Sequence, residues 1–560
     1  MKLRRSLILD TVLLGVVGAL AAQVFMFLLH FFTTLFLKDI AGYQAPGLPL
    51  DGGAASQTIG PHGLWLIPVV TTLGGLISGI LVYSLAPEAE GHGTDTAVRA
   101  FHRSGGAIRT RVSPLKAVAS AITIGSGGSA GREGPIALIA AGVGSIYATM
   151  LKRPEKERRL LVLVGMAAGL SAIFRSPIGT AIFAVEVLYS EMEFDAGALL
   201  HTMLGSVTAY AVNGLFVGWE PLFAVPAGLG VKGFSDYLWY AVLGLLAGPV
   251  ATLVPTVFYG IRDLFHAIPV PPHVKPAIGG LGVGLLALEL PQVLGGGYGW
   301  IQYAIDGKLA VSLLLVLVLA KLLAFALTVS SGGSGGVFAP SLFVGAMLGG
   351  LLAHVFNMPP AAFAVVGMAA VFGGAARIPI ATLLMVTEMT GGYSLLVPAA
   401  LAVMLSYLVQ VNLSKGLKYK SLYEAQVPGP SFSPAHRADQ VRATLRMMRE
   451  GRFSLSEAVG HLDLLSLLNS GVPVDLPDDK QLVSGKLKAD SECVGRPIGA
   501  GCLGRQGSGM ETVAVFRRGE TLLPHSGETY QAGDEILLVA DATARERVLR
   551  HLDGKLDGGG

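Results

Sequence analysis

Eleven apolar stretches, near residues 8–37, 64–86, 116–150, 160–190, 196–218, 236–260, 276–294, 309–330, 336–356, 361–388 and 394–413, fill most of the chain up to residue 413. A helix rising ~1.5 Å per residue needs ~20 apolar residues to cross the hydrocarbon of a bilayer. These stretches reach that length, and several exceed it or are interrupted by Gly and Pro. Two interruptions are the clearest: Gly125-Ser-Gly-Gly-Ser-Ala-Gly-Arg-Glu-Gly-Pro135 and Ser330-Ser-Gly-Gly-Ser-Gly-Gly-Val-Phe-Ala-Pro340. Irregular backbone at membrane depth must be shielded by protein or line a wet cavity, because lipid offers it no hydrogen bonds. Such a chain is an all-α polytopic membrane protein with helices broken at defined points.

Charge divides the chain in two. Residues 1–423 hold 44 Asp, Glu, Lys and Arg, whereas residues 424–560 hold 35 in 137 positions, the density of an ordinary soluble domain. The expected organisation is a membrane domain over 1–425, a helical linker over 426–473, a small α+β domain over 474–552 and a tail over 553–560. A wholly soluble enzyme, a fibrous protein and a disordered scaffold are excluded. The net charge of +3 is too small to point to nucleic acid. Cys493 and Cys502 are the only cysteines, so neither a disulfide framework nor a Cys-based zinc site is expected. The N-terminus starts basic, as a signal peptide does. Its apolar run is too long for one and no small-residue cleavage site closes it, so it reads as a retained first helix.

Lys and Arg orient the loops. Lys2, Arg4 and Arg5 place the N-terminus in the cytoplasm, and Lys415, Lys418 and Lys420 place the exit there too. Two further basic loops, one around Arg99–Arg111 and one around Lys152–Arg159, flank the first break. If both are cytoplasmic, residues 125–135 form the tip of a hairpin buried in the membrane. A bacterial inner membrane is the expected location.

An internal repeat links the breaks. Met166-Ala-Ala168 recurs as Met368-Ala-Ala370, Arg175 as Arg377, Pro177-Ile178 as Pro379-Ile380, Thr180 as Thr382, and Glu186 as Glu388. That is eight identities in 21 gapless positions at an offset of 202. Upstream of each copy lies one of the Gly-rich breaks. Two related halves, each with a broken helix, predict a site between them.

A helix start exposes about four unpaired N–H groups and the positive end of the backbone dipole. It can hold an anion without a full positive charge, which suits a conduit that must also release its ion. The competing reading is that Gly and Pro only permit close helix packing. Glu133 lies inside the first break. Its carboxylate can occupy the donors that would hold an anion, closing the path until it is protonated or displaced. The alternative is an ion pair with the adjacent Arg132.

Gly131-Arg-Glu-Gly-Pro135 resembles the GREGP motif of the CLC chloride channels and proton–chloride exchangers, and Gly335-Gly-Val-Phe-Ala-Pro340 resembles their GGxFxP motif. Pro87–Gly93 is similar to the family's first anion-binding loop, and Tyr423 to its late pore tyrosine. The resemblance covers residues 10–425. It implies a homodimer with one pore per subunit, about eighteen helices each, and bound chloride with no other cofactor. It implies Glu133 as the gate. It also implies an anion site built from the first loop (His92, Gly93), the first break (Arg132, Gly134), the N–H groups of Val337 and Phe338, and the Tyr423 hydroxyl.

The chain departs from that family's pattern twice. The first loop reads Gly91-His92-Gly93-Thr94-Asp95 where the family usually has GSGxP. An imidazole titrates near neutral pH, so His92 either strengthens anion binding on protonation or turns away and leaves the loop backbone to serve. The second departure is Val187, which stands where the family's exchangers carry an internal proton glutamate. Valine cannot carry a proton, which implies uncoupled, channel-like conduction. The alternative is an exchanger using Glu191, one helical turn further on. Nitrate and fluoride are alternative substrates to chloride.

In the tail, residues 434–452 and 455–469 read as helices. Residues 481–488, 512–516 and 535–540 read as strands. Residues 474–552 resemble the TrkA-C module of potassium-conductance regulators. That resemblance implies either a dimer clamp or a receptor for a small cytoplasmic ligand such as a nucleotide or cyclic dinucleotide, with Arg517, Arg518 and His525 as candidate contacts. No nucleotide P-loop, HExxH or paired acidic metal motif occurs in the membrane part. No spacing places a nucleophile beside a base, so an enzyme is the remote alternative, with no catalytic or metal residues assigned. A pure sensor, anchored by the membrane part, leaves the paired breaks unexplained.

Overall fold

The computed structural model describes residues 5–47, 54, 56–226, 228–231, 233–436, 474–475, 480–498, 503, 510–517, 520–522, 527–541 and 552–553. The chain forms two compact units. The first comprises Met1–Phe101 and Gly105–Pro430, and the second comprises Ser431–Gly560 with His102–Ser104.

The first unit is helical, as its apolar stretches predict. Its first half contains α1 (Arg5–Thr33), α2 (Ile67–Leu85), α3 (Thr94–Arg103), α4 (Val112–Gly125), α5 (Glu133–Met150), α6 (Glu155–Phe174), α7 (Pro177–Glu186) and α8 (Ala196–Val217). Its second half contains α9 (Phe234–Ala267), α10 (Lys275–Glu289), α11 (Tyr298–Ile305), α12 (Val311–Ser330), α13 (Phe338–Phe356), α14 (Pro360–Ala376), α15 (Pro379–Thr390) and α16 (Leu396–Leu413). With a π-helical extension of α1 (Thr34–Ile40), seventeen such helices lie among the described residues. A two-residue ribbon, β1 (Tyr43–Gln44) with β2 (Thr58–Ile59), completes the unit. Among the described residues, six helical segments are long and apolar enough to cross a membrane. Exposed side chains such as Leu9, Phe27, Val69, Leu285, Leu315 and Leu319 give it an apolar outside.

The long apolar stretches resolve into helix pairs at the Gly and Pro positions. Residues 116–150 become α4 and α5 around the first break, and 160–190 become α6 and α7. The second half repeats the order: α12, break, α13, α14, α15. Both α6 and α14 end on an arginine in the left-handed region, Arg175 at φ 55° and Arg377 at φ 57°, with proline two residues later. The counterpart helices α2 and α10 pack on each other, as do α7 and α15, so the two halves face each other across a pseudo-twofold relation.

The repeated glutamates bind that relation together. Glu186, at the end of α7, accepts hydrogen bonds from the N–H groups of Ile380 (3.2 Å) and Ala381 (2.6 Å) at the start of α15. Glu388, in α15, accepts from the Ser176 hydroxyl (2.6 Å) and the N–H groups of Ile178 (3.2 Å) and Gly179 (2.8 Å) at the start of α7. Each half thus supplies the carboxylate that the other half's helix start lacks, where dipole and orphan donors both favour an anion. Polar pairs add to this between α1 and α8. Thr11 Oγ1 is 3.0 Å from His201 Nδ1, and Gln23 Nε2 donates to Asn213 Oδ1 at 2.5 Å. Such pairs hold helices together where lipid provides no hydrophobic drive.

The second unit carries a six-stranded antiparallel sheet of β3 (Val474–Asp475), β4 (Lys480–Leu487), β5 (Met510–Arg517), β6 (Glu520–Leu522), β7 (Glu535–Asp541) and β8 (Leu552–Asp553). The order is β3-β4-β7-β5-β6, with β8 pairing β4. The three strands expected from alternation are β4, β5 and β7. Val483, Leu487, Val515, Tyr530, Ile536 and Leu538 form its core. Cys493 is buried and disulfide-bonded, a covalent link that two cysteines in a soluble domain gave no reason to expect. Cys502, Arg518, His525, residues 554–560 and the expected helices from residue 437 to 469 lie outside the described residues.

Candidate functional site

The two Gly-rich breaks meet. Gly131 and Gly336 exchange both backbone hydrogen bonds, at 2.7 and 2.6 Å, in one antiparallel bridge. The bridge lies just ahead of α5 and α13, so two helix starts open side by side. Neither of the residues preceding them, Arg132 or Val337, provides a side-chain cap. The first-turn donors of both helices are thereby available to a solute. The approach is close enough to demand glycine. A Cβ on Gly134 would run into the His92 carbonyl oxygen and come within 2.9 Å of Gly336 Cα.

The first loop joins the same point. Gly91 bridges to Ser334, and the Gly335 N–H donates to the Gly91 carbonyl at 3.2 Å. Gly93 takes φ +85°, an added Cβ there would come within 2.7 Å of the Gly134 carbonyl oxygen, and α3 begins at the next residue. A cavity of about 10 Å³, room for about one water-sized sphere, is lined by Thr94, Glu133, Gly134, Leu170, Phe183, Val337, Phe338 and Tyr423. Glu133 is 1% exposed, and its carboxylate lies over Gly131, where a Cβ would strike Oε2. Tyr423 is 2% exposed and lines the cavity together with Thr94. The Phe338 ring sits 4.4 Å from Phe174 and 4.2 Å from Phe372, centroid to centroid, which fixes the first turn of α13.

Beyond the cavity is a vestibule of about 260 Å³ lined by Glu88, Glu90, His92, Asp95, Arg99, Arg262 and their neighbours. His92 is 6% exposed. Its Nε2 lies 3.2 Å from Asp95 Oδ2, its Nδ1 has no hydrogen-bond partner, and its ring is 5.4 Å from that of Tyr423. Asp95 also accepts from the N–H groups of Glu424 (3.2 Å) and Ala425 (3.1 Å), tying the loop that carries Tyr423 to α3. Burial alone would raise the Asp95 carboxyl. The charge and hydrogen bond of His92, the Ala425 N–H and Arg99 hold it below the ordinary carboxylate value.

The structure brings Glu133, Gly134, Val337, Phe338 and Tyr423 to one cavity and sets His92 and Gly93 at the vestibule next to it. Arg132 goes elsewhere. Its guanidinium stacks 4.5 Å over the Tyr298 ring in a separate pocket of about 90 Å³ that also includes Gly295–Gly299. Val187 is fully buried at the end of α7. The helical turn expected to connect it to Glu191 does not exist, because α7 stops at Glu186 and Glu191 lies in an exposed bend. In the second unit Arg517 makes a bidentate pair with buried Asp534, 2.9 Å on each side, and donates to the Thr529 carbonyl at 2.6 Å. These contacts hold residues 529–534 against β5 and occupy its donors within the domain.

Three residues escaped the reading of the sequence. Thr94 lines the cavity. Lys116 and Lys321 are fully buried and each clamps two loop carbonyls: Ala89 (2.9 Å) and Gly91 (2.6 Å) for Lys116, Val293 (2.8 Å) and Gly295 (2.6 Å) for Lys321. They are one device used twice. Pro87-Glu-Ala-Glu-Gly-His-Gly93 and Pro291-Gln-Val-Leu-Gly-Gly-Gly297 share spacing at an offset of 204, and the lysines at 205. A repeat search that allowed gaps would have found them.

A family model described as "Voltage gated chloride channel" matches residues 74–411. A "Putative chloride channel protein ClcB-like" of Ralstonia nicotianae is 31% identical over 354 residues, which is 61% of this chain and 82% of that protein. An "H(+)/Cl(-) exchange transporter ClcA" of Cronobacter sakazakii is 30% identical over 356 residues, covering 60% and 75% respectively. Among solved structures, a CLC-type fluoride/proton antiporter superposes with a TM-score of 0.63 at 24% identity over 75% of this chain and 98% of that one. A slow cyanobacterial Cl−/H+ antiporter does so with 0.65 at 21% over 75% and 97%. At those identities the superpositions speak for the fold alone. With the family model covering more than half of its length, the chain belongs to the voltage-gated chloride channel (CLC) family.

Proposed function

We propose that this protein conducts chloride passively through the cavity between α5 and α13, with the Glu133 carboxylate as its gate. The observation that carries the reading is the Gly131–Gly336 bridge, which sets two uncapped helix starts beside one buried carboxylate. Fully buried Val187 at the end of α7 supports conduction without obligatory proton exchange. In liposomes, an imposed proton gradient is then expected to drive no uphill chloride movement, while a chloride gradient dissipates once charge is compensated. Uphill uptake would overturn the uncoupled reading and establish the second one.

That second reading, proton–chloride exchange, is favoured by relatives at 30–31% identity named as exchange transporters. Its internal acceptor would be Glu191, whose charge reaches Arg377 and Tyr407. Nitrate and fluoride remain alternative cargoes, and the ordinary form of Gly131–Pro135 supports chloride.

The vestibule sets His92 among Arg99, Arg262 and His266, opposed by Glu88, Glu90, Asp95 and Glu424, with its ring 5.4 Å from that of Tyr423. His92→Ser is expected to change chloride flux in liposomes, and an unchanged flux removes His92 from the anion path.

A further inference from the structure

We propose that Thr94, together with Tyr423, sets which anion the cavity prefers, and that His92 does not. The inference rests on the conduction reading above and adds a selectivity-determining residue to it. By position in the first loop, His92 stands where a coordinating hydroxyl is expected. In space, the hydroxyl at the cavity belongs to Thr94, whereas His92 lines the vestibule with its Nε2 against Asp95.

The cavity wall leaves little else to discriminate with. Leu170 and Phe183 are apolar, and the helix starts offer N–H groups to any anion. Two hydroxyls remain, those of Thr94 and Tyr423, on the same cavity. Both residues are nearly fully buried, at 3% and 2% exposed. A hydroxyl hydrogen turns about its C–O bond, so an arriving anion can recruit donors without displacing a side chain.

Their mutual position is fixed by the residue next to Thr94. Gly93 at φ +85° starts α3, its carbonyl accepting from the N–H groups of Thr96 (3.0 Å) and Ala97 (3.3 Å). The Asp95 carboxylate then holds the N–H groups of Glu424 and Ala425, directly after Tyr423. One carboxylate therefore registers both hydroxyls on the cavity. Selectivity built from neutral donors depends on their number and field strength. Removing one hydroxyl costs a strongly hydrated ion such as chloride more than a weakly hydrated one such as nitrate.

The test compares chloride and nitrate efflux from liposomes containing wild type, Thr94→Val, Thr94→Ser and His92→Ser. Losing one hydrogen bond to a charged group corresponds to about tenfold. The chloride-to-nitrate ratio is expected to fall about tenfold in Thr94→Val and to hold in Thr94→Ser. In His92→Ser, both fluxes are expected to change together, leaving the ratio intact. A wild-type ratio in Thr94→Val, or a shifted ratio in His92→Ser, overturns the inference. Should Thr94→Val pass neither ion, calorimetric titration of the detergent-purified variant decides. Chloride affinity weakened about tenfold relative to wild type supports the assignment, and unchanged affinity overturns it. The same titration reads Thr94 even if wild type passes no anion, an outcome that would defeat the conduction reading separately.

Discussion

Glu133→Gln in liposomes is expected to pass chloride on the order of tenfold to a hundredfold faster than wild type near neutral pH. The carboxylate is 1% exposed beside two helix starts, so in its charged form it would compete with chloride for the same donors. Hydrogen bonds to a charged group contribute ~1.5–3 kcal/mol net, which converts to roughly one to two powers of ten in occupancy. Glutamine keeps the shape and removes the charge, as protonation does in the wild type. Chloride efflux followed with an ion-selective electrode at several pH values checks it. A glutamine variant no faster than wild type would remove Glu133 as the gate.

The second large effect is steric. Gly134→Val places carbon against the His92 carbonyl and the Gly336 backbone at once. All three sit in backbone segments locked by the bridges Gly131–Gly336 and Gly91–Ser334, so none can yield alone. Overpacking a site of this kind costs several kcal/mol, and the variant is expected to lose its monodisperse chromatographic peak and all chloride flux. Gly260→Ala is the control. That glycine is exposed in α9 with nothing within 4 Å of an added Cβ, and alanine gains up to about 1 kcal/mol of helix propensity. A Gly134→Val protein as stable and active as Gly260→Ala would show that close backbone approach is not required.

Hydropathy and charge made the membrane class legible, and the Gly-rich breaks made the meeting of helix starts legible, because both depend on composition over many residues. The repeat marked Glu186 and Glu388 but not their role. Reciprocal capping is a relation between helices about two hundred residues apart, and only their antiparallel packing reveals it. Lys116 and Lys321 were missed because the offset drifts from 202 to 205 between elements. Thr94 was missed for a different reason. Loop position pointed to His92, but the left-handed turn at Gly93 decides which side chain reaches the cavity. The helical turn expected between Val187 and Glu191 is absent because α7 stops at Glu186, a helix end that extrapolating the sequence did not foresee.

The reciprocal caps also bear on how the molecule is made. Glu186 and the Ile380 N–H that donates to it are 194 residues apart, and a ribosome elongating at ~5–20 residues per second needs roughly 10 to 40 s to cover that distance. Throughout that interval the nascent first half holds a lone carboxylate at one end of α7 and unquenched donors at the other, inside or beside the translocation machinery. Neither half caps its own helix start. Truncation midway through translation should leave a fragment that quality control degrades.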